Sequence, residues 1–210
     1  AQTRKAFFAG KFYPENREEL AKTVDKAVSS AGIKLSSGEI IALIAPHAGY
    51  EFSGGVAGYA YKAVSGKKYD TVVILGTAHT MSIEGAAVYA AGYFETPLGK
   101  LKVDEDLAQK LLKEGEFFAE NSRAHAKEHS VEVQLPFLQR TLAPGFNILP
   151  VIMNTDSLYS MRRTGELLAK ALKGKKALIV ISSDISHYPE HETAKKVDKT
   201  TLLALKTLEP

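Results

Sequence analysis

Cysteine is absent from this sequence of 210 residues. Disulfide bonds, and thiolate metal sites built from these residues alone, are therefore excluded. Long apolar runs are missing as well, because the longest is far shorter than the roughly 20 residues that a helix needs to span a bilayer. The first residues also lack a basic stretch followed by an apolar core, which is the pattern of a signal peptide. The expected location is cytoplasmic, with no membrane partner.

An excess of charge of either sign is lacking too, since 27 Lys and Arg face 24 Asp and Glu. A net charge of +3 is too small to indicate a nucleic-acid partner. The sequence has neither a Gly-x-Gly-x-x-Gly loop nor a Walker loop, which disfavours dinucleotide and ATP binding. No Gly-x-Ser-x-Gly elbow is present, which argues against a serine hydrolase.

What the sequence does contain is three apolar stretches that each lead to a histidine. Residues 40–45 precede His47, residues 72–75 precede His79 and residues 177–181 precede His187. Uninterrupted apolar runs predict strands that are buried on both faces. Because parallel strands end at one edge of a sheet, we expect these three imidazoles to line a single pocket.

The strands alternate with stretches of helical spacing. Helices are predicted over residues 16–30, 55–64, 104–113, 157–172 and 190–208, and a β excursion over residues 84–103. Residues 131–142 predict a helix that Pro136 bends or restarts. We therefore predict a single α/β domain over residues 1–210, with a mainly parallel central sheet flanked by helices and right-handed crossovers. Gly49, Gly54 and Gly55 are expected to let the backbone turn closely around His47.

The histidines suggest chemistry, because neutral imidazoles with an occasional carboxylate are the usual ligands of Fe, Zn or Cu. Asp184 precedes His187 by three residues and would supply such a carboxylate. Ser182, Ser183 and Ser186 surround it with hydroxyl groups that can fix side-chain orientations. Three interpretations stay open: a metal site, a metal-free acid–base pocket, and histidines with structural roles only.

A second polar cluster comprises Glu128, His129, Ser130, Glu132 and Gln134. Glu128 is placed to orient a histidine through a hydrogen bond. In the alternative interpretation the cluster is a helix N-terminus, capped by Ser130 and Glu132. Both interpretations stay open at this point.

Aromatic residues crowd the beginning of the chain, and they are Phe7, Phe8, Phe12 and Tyr13. So many aromatic side chains predict a segment that docks on the domain, either covering the core or forming one wall of a pocket. Tyr13 and Tyr50 are the predicted substrate-binding residues.

Five motifs together resemble the Memo family (mediator of ErbB2-driven cell motility) and its archaeal and bacterial relatives. They are AGKFYP at 9–14, APHAGY at 45–50, LGTAH at 75–79, EHSVEVQLP at 128–136 and SSDISHY at 182–188. The resemblance runs from residue 6 to about residue 190 in the family's order. It implies a fold similar to that of the class III extradiol dioxygenases, which are non-haem iron enzymes that cleave catechol rings.

The same resemblance implies roles for particular residues. His47 and His79 would hold Fe(II) or Cu, and His187 would be the acid–base catalyst, with Asp184 and His129 nearby. Microbial members are called the B component of the AmmeMemoRadiSam system, which implies a functional link to a radical S-adenosylmethionine protein. Animal members are implicated in binding phosphotyrosine peptides.

Family members usually continue for several dozen residues, through a Cys-Gly segment whose cysteine completes the metal shell. This chain has no cysteine, so that third ligand is absent and the chain is expected to lack the family's C-terminal segment. Two hypotheses follow. The first is a non-haem metal-dependent, dioxygenase-like oxidoreductase that acts on a small molecule. The second is a non-enzymatic module that binds a peptide or phosphorylated ligand in the same pocket.

Overall fold

The computed structural model of the protein describes residues 2–34, 38–115 and 117–207. Its strands are Thr3–Arg4 (β1), Ala42–Ala45 (β2), Thr71–Thr77 (β3), Ala86–Val88 (β4), Tyr93–Thr96 (β5), Gly99–Lys102 (β6), Phe118–Glu120 (β7), Asn147–Met153 (β8) and Ala177–Ser182 (β9). Its α-helices are Arg17–Ser30 (α1), Gly55–Ala63 (α2), Glu105–Leu112 (α3), Ser122–His125 (α4), His129–Glu132 (α5), Leu135–Thr141 (α6), Leu158–Leu172 (α7) and His191–Thr207 (α8). A π-helical turn, Tyr50–Gly54, leads directly into α2.

The central sheet has six strands in the order β2-β9-β3-β8-β4-β7. The first four run parallel to one another, whereas β4 pairs antiparallel with β8 and parallel with β7. The predicted β excursion supplies β4, β5 and β6, of which β5 and β6 join β1 in a small second sheet. The predicted α/β fold with a mainly parallel, helix-flanked central sheet is confirmed.

Apolar side chains of the central strands alternate between two cores. Val72 and Ile74 of β3 face a core shared with Tyr61 of α2. Val73 faces the opposite way, into a core shared with Leu107 of α3. None of the helices in the described ranges has the length and apolarity needed to cross a membrane.

The first histidine strand differs from its prediction. Only alternate residues of β2 are buried, and Ile44 is 38% exposed. The prediction of strands buried on both faces is wrong for β2 and for its neighbour β9, where Ile181, the partner of Ile44 in the pairing, is 37% exposed. One face of the sheet is incompletely covered at this end, which includes the edge strand β2. Apolar composition alone does not tell a central strand from an edge strand.

Helix ends follow the sequence more closely. Asn16 caps α1 by accepting from the backbone N–H groups of Glu18 and Glu19. Ser157, the first residue of the predicted range 157–172, caps α7. Pro136 is the second residue of α6, so it starts a new first turn instead of bending a longer helix.

The glycines after His47 do not act as predicted. Gly49, Gly54 and Gly55 have φ angles of −55°, −59° and −61°, which any residue can adopt. The chain coils tightly here as a π-helical turn, without using the left-handed conformations that favour glycine. At Gly54 a side chain would meet Cβ of Tyr50 at 3.3 Å, so the lack of a side chain matters more than φ.

Candidate metal centre

Three imidazoles meet at the carboxyl-terminal edge of the sheet. His47 follows β2, His79 follows β3, and His129 is the first residue of α5, which packs over the end of β3. The ring centroids are 5.2 Å apart for His47 and His79, 4.4 Å for His79 and His129, and 5.4 Å for His47 and His129. One nitrogen of each ring lies within 4.8 Å of the others, a spacing that allows one ion to be shared.

Glu128 holds His79 from behind. Its Oε1 lies 2.9 Å from Nδ1 of His79, and its Oε2 accepts from the backbone N–H of His79 at 2.7 Å. Because a carboxylate only accepts, the neutral tautomer that fits this contact has its proton on Nδ1 and its lone pair on Nε2. Glu128 also caps α5 by accepting from the backbone N–H of Ser130. Glu128 thus orients a histidine and also starts a helix, but the predicted caps are wrong, because Ser130 and Glu132 lie within α5 and Glu128 is its cap.

His47 is buried and is held by two residues of the β9 end. Its backbone N–H donates to Oδ1 of Asp184 at 2.9 Å, and its Nδ1 lies 3.0 Å from Oγ of Ser182. Its Nε2 lies 3.6 Å from Oδ2 of Asp184. The hydroxyl groups predicted to fix side-chain orientations therefore include one that contacts a candidate metal ligand.

Burial disfavours the charged forms of His47 and His129. Loss of solvent lowers the pKa of His47, against the opposing effect of Asp184. Loss of solvent also lowers the pKa of His129 to about 4, against the opposing effect of Glu128. Burial by itself would raise the pKa of Glu128, but its hydrogen bonds with Ser130 and His79 lower it overall. Neutral imidazoles beside an ionised carboxylate are what a divalent metal requires.

His187 is separated from the cluster of His47, His79 and His129 by Asp184. Its Nε2 is 3.4 Å from Oδ2 of Asp184, the same oxygen that faces Nε2 of His47. About half of its side chain is exposed, and together with Asp184 it lines a cavity of about 650 Å³. Asp184 therefore connects His187 with the other histidines. His187 is the only histidine among the described lining residues of this cavity, so a single pocket for His47, His79 and His187 stays a prediction.

Aromatic rings of the first segment cover the other side of the cluster. The ring centroid of Phe12 is 4.8 Å from that of His129, and the centroid of Phe8 is 5.5 Å away. The segment therefore docks on the domain as predicted, and it contributes a wall next to the imidazoles.

Tyr13 and Tyr50 lie deeper, with only 3% and 8% of their surfaces exposed. The Tyr13 hydroxyl donates to Glu132, and the Tyr50 hydroxyl donates to the carbonyl oxygen of Val133 at 2.6 Å. Both hydroxyl groups are therefore engaged within the protein. Their role in substrate binding stays a prediction.

Gly76 permits the close approach that positions α5. A side chain on this β3 residue would overlap Oγ of Ser130 and lie 3.0 Å from a methyl group of Val131. Ser130 meanwhile donates to the carbonyl oxygen of Thr77 at 2.8 Å, which fixes α5 on the strand. His129, the residue before Ser130, therefore depends on a glycine at position 76.

We expect Gly76→Ala to lower the free energy of unfolding by about 1–3 kcal/mol, because overpacking displaces α5 from β3. Urea unfolding measures this loss. Gly165→Ala is the matched control, since open space surrounds Gly165 within α7. That control should gain roughly 0.5–1 kcal/mol of stability. Equal effects of the two substitutions would contradict the role assigned to Gly76.

His125 lies apart from the cluster. It is 1% exposed, its Nε2 lies 3.1 Å from the carbonyl oxygen of Ala87, and its Nδ1 has no hydrogen-bond partner. The rings of Tyr89 and Phe94 pack edge-on against it. Burial lowers the pKa of His125 to about 4.

This pKa predicts a pH-dependent stability. Between about pH 6.5 and pH 4 the unfolded chain would protonate His125 and the folded protein would not, so stability falls as pH falls, by up to about 3 kcal/mol. In His125→Phe the slope of unfolding free energy against pH should decrease by up to about one proton over that window. Urea unfolding of metal-free protein at several pH values measures the slope. The exposed His191, changed to Gln, should leave the slope unaltered, and an unaltered slope in His125→Phe would contradict the argument.

Two residues of the site were not recognised as such from the sequence. Gln134 was seen only as a member of a polar cluster, and Glu132 only as a possible cap. In the structure Glu132 is fully buried and accepts from Arg4, Tyr13 and the backbone N–H groups of Phe7 and Phe8. The only sequence signal was their presence within an otherwise apolar stretch, where charged and amide groups need partners.

These features define an α/β protein with a mainly parallel sheet and a histidine cluster at the strand ends. Residues 4–210 match the model of the family described as Memo-like protein, and the chain belongs to this family. A MEMO1 family protein of Nitrosopumilus maritimus is 35% identical over 203 residues, covering 95% of this chain and 74% of the relative. A MEMO1 family protein of Aquifex aeolicus is 38% identical over 207 residues, covering 99% and 76%. Protein memo-1 homolog of Caenorhabditis elegans is 31% identical over 224 residues, covering 99% and 63%.

Proposed function

We propose that this Memo-family protein binds Fe(II) or Cu through His47, His79 and His129, and acts as a non-haem, dioxygenase-like oxidoreductase. The observation that carries the proposal is the placement of these imidazole nitrogens within 4.8 Å of one another. The sequence predicted two histidine ligands and a missing third. His129, predicted as catalytic, supplies a third imidazole within reach of the same ion.

The donor set fits such an ion. Imidazole nitrogen suits Fe, Cu and Zn, and three such ligands leave further positions open. Glu128 behind His79 orients the ring and makes its Nε2 a stronger donor. A bound Fe(II) or Cu ion would supply a redox-active Lewis acid for reaction with oxygen.

The remaining residues would orient a substrate and move a proton. The rings of Phe8 and Phe12 exclude water from one side of His129. Asp184 fixes the His47 backbone and faces Nε2 of His187. His187 is exposed enough to contact a substrate in the cavity that it lines, and an imidazole can both accept and donate a proton.

The binding-module hypothesis has less support. Asp184 and Asp198 both line the cavity, whereas no Lys or Arg is among its described lining residues. A phosphorylated ligand would meet carboxylates there without a compensating cation. The link to a radical S-adenosylmethionine protein and the cytoplasmic location stay predictions from the sequence.

Metal binding is the direct test. In anaerobic titrations with Fe(II), and separately with Cu, against a competing chelator, wild-type protein should bind one ion. His47→Ala, His79→Ala and His129→Ala should each lower the metal affinity more than 10–100-fold, which is the usual loss when a residue that hydrogen-bonds a metal ligand is changed. His191→Ala, whose side chain is 78% exposed, should bind as wild type does. Equal losses in all four variants would indicate adventitious surface binding and contradict the proposal.

Oxygen uptake with a panel of catechols and reduced iron then separates the two hypotheses. Uptake that requires the three histidines supports the oxidoreductase. Saturable binding of a phosphotyrosine peptide, without oxygen uptake on any catechol, would overturn it in favour of the binding module.

A further inference from the structure

The Ser182 hydroxyl lies at the centre of a buried network behind His47. Ser182 is the last residue of β9 and is 2% exposed. Its Oγ lies 2.6 Å from the carbonyl oxygen of Ser130, 2.8 Å from Nε2 of Gln134 and 3.0 Å from Nδ1 of His47. A hydroxyl group has one hydrogen and two lone pairs, so three partners use it completely.

The orientation of Gln134 is fixed by its other contacts. Its Nε2 also lies 3.0 Å from the carbonyl oxygen of Pro46, and its Oε1 accepts from the hydroxyl of Tyr61 at 2.6 Å. Turning the amide over would place Oε1 against the Pro46 oxygen, where two acceptors would repel each other. The amide nitrogen therefore faces Ser182 and donates to it.

These contacts leave one assignment for His47. The Ser130 carbonyl can only accept, so it takes the single hydroxyl hydrogen of Ser182. Gln134 fills one of the two lone pairs of Ser182. The other lone pair accepts from His47, so Nδ1 of His47 carries the proton and Nε2 keeps its lone pair.

We propose that Ser182 and Gln134 are positioning residues that hold His47 in the Nδ1–H tautomer, so that Nε2 is kept as the metal ligand. This inference rests on the proposed metal-binding function. His79 reaches the same tautomer by a different route, because its Nδ1 donates to the carboxylate of Glu128. Residues 128–134 thus supply the groups behind both rings: Glu128 for His79, and the Ser130 carbonyl with Gln134 for His47.

The competing reading is that this network only satisfies buried polar groups. The two readings differ in the tautomer of His47 once the hydroxyl is removed. In a purely structural network, Ser182→Ala would lower stability and leave the ring unchanged. In a positioning network, Nδ1 loses its acceptor and the Nε2–H tautomer, which cannot offer Nε2 to a metal, becomes populated.

The experiment reads the tautomer directly in metal-free protein. Long-range ¹H–¹⁵N correlation spectra above pH 7 distinguish a protonated from an unprotonated ring nitrogen. We expect wild-type His47 to be protonated at Nδ1, and Ser182→Ala to shift the population toward Nε2–H. The tautomer of His79 should not change and serves as the internal control. Ser182→Thr, which keeps the hydroxyl, should retain the wild-type pattern. Gln134→Met should shift the tautomer population of His47 in the same direction but by less. It replaces Ser182→Ala in the test if that variant does not fold.

Anaerobic Fe(II) titration of the same samples completes the test. Ser182→Ala should lose about 10–100-fold in Fe(II) affinity, and Ser182→Thr should lose much less. Wild-type His47 protonated at Nε2, or an unchanged His47 tautomer in both Ser182→Ala and Gln134→Met, would overturn the inference. Failure of the wild type to bind Fe(II) or Cu would instead contradict the proposed function, and the spectra of the metal-free protein distinguish that outcome.

Discussion

Replacing Glu132 with glutamine should lower the free energy of unfolding by about 3–5 kcal/mol, which is the usual loss when one partner of a buried ion pair is removed. Glu132 is fully buried at the end of α5 and pairs with Arg4, which is 5% exposed. Its carboxylate also accepts from the backbone N–H groups of Phe7 and Phe8, at 3.1 Å and 2.8 Å, and from the Tyr13 hydroxyl. A neutral amide leaves the Arg4 charge uncompensated in the interior.

Urea unfolding at neutral pH measures this loss. Glu95→Gln is the control, because Glu95 pairs with the exposed Lys5 at 2.9 Å. Such surface pairs contribute at most about 1 kcal/mol. In a double-mutant cycle, Arg4→Met combined with Glu132→Gln should be less destabilising than the sum of the single changes. A loss in Glu132→Gln no larger than that in Glu95→Gln would contradict the argument.

The same substitution connects stability with the site. Glu132 anchors the segment that carries Phe8 and Phe12, and the rings of both pack against His129. Loosening that segment would expose His129 to water on one side. We therefore expect the metal affinity of Glu132→Gln to fall together with its stability, although Glu132 is not a candidate ligand.

The strands that lead to histidines could be predicted because the length and apolar content of a run of residues reflect physical constraints on a buried strand. Buried parallel strands require apolar runs, and the residue after such a run lies at the edge where strands end. His47 and His79 could be found in this way. Strand patterns could not place His129 beside them, and only the family resemblance did, since it belongs to a helix whose approach to β3 depends on the absence of a side chain at Gly76.

Hydrogen-bond roles were harder to predict than positions. Ser182 contacts His47, Ser130 and Gln134, which lie far away along the chain. Whether such a network forms depends on differences of a few tenths of an ångström in the distances between separate elements. The wrong prediction for β2 has a different origin, because strand order decides which face is covered and composition does not encode strand order directly.

His187 is the residue on which the proposed mechanism turns. Its Nε2 lies 3.4 Å from Asp184, and its ring is not among the three that could share an ion. It lines a cavity that also contacts Pro46 and Ala48, the neighbours of His47 in the chain. A side chain so placed can exchange a proton with a substrate while the metal ligands stay intact. Proton transfer by a positioned side chain typically contributes 10²–10⁴-fold to a rate.

We therefore expect His187→Gln to keep the wild-type Fe(II) content and to lower turnover roughly 10²–10⁴-fold, on whichever catechol supports oxygen uptake by the wild type. Glutamine keeps the length and hydrogen-bonding capacity of the side chain but cannot carry the proton. His191→Gln is the control, because His191 starts α8 with 78% of its side chain exposed and should tolerate the same change without loss of rate. Metal content, melting temperature and rate are measured on one preparation of each variant. If His187 only packs the end of β9, its substitution lowers the melting temperature and leaves the rate per folded molecule unchanged. An unchanged rate at full metal occupancy would therefore remove His187 from the mechanism and leave Asp184 as a residue that positions His47 alone.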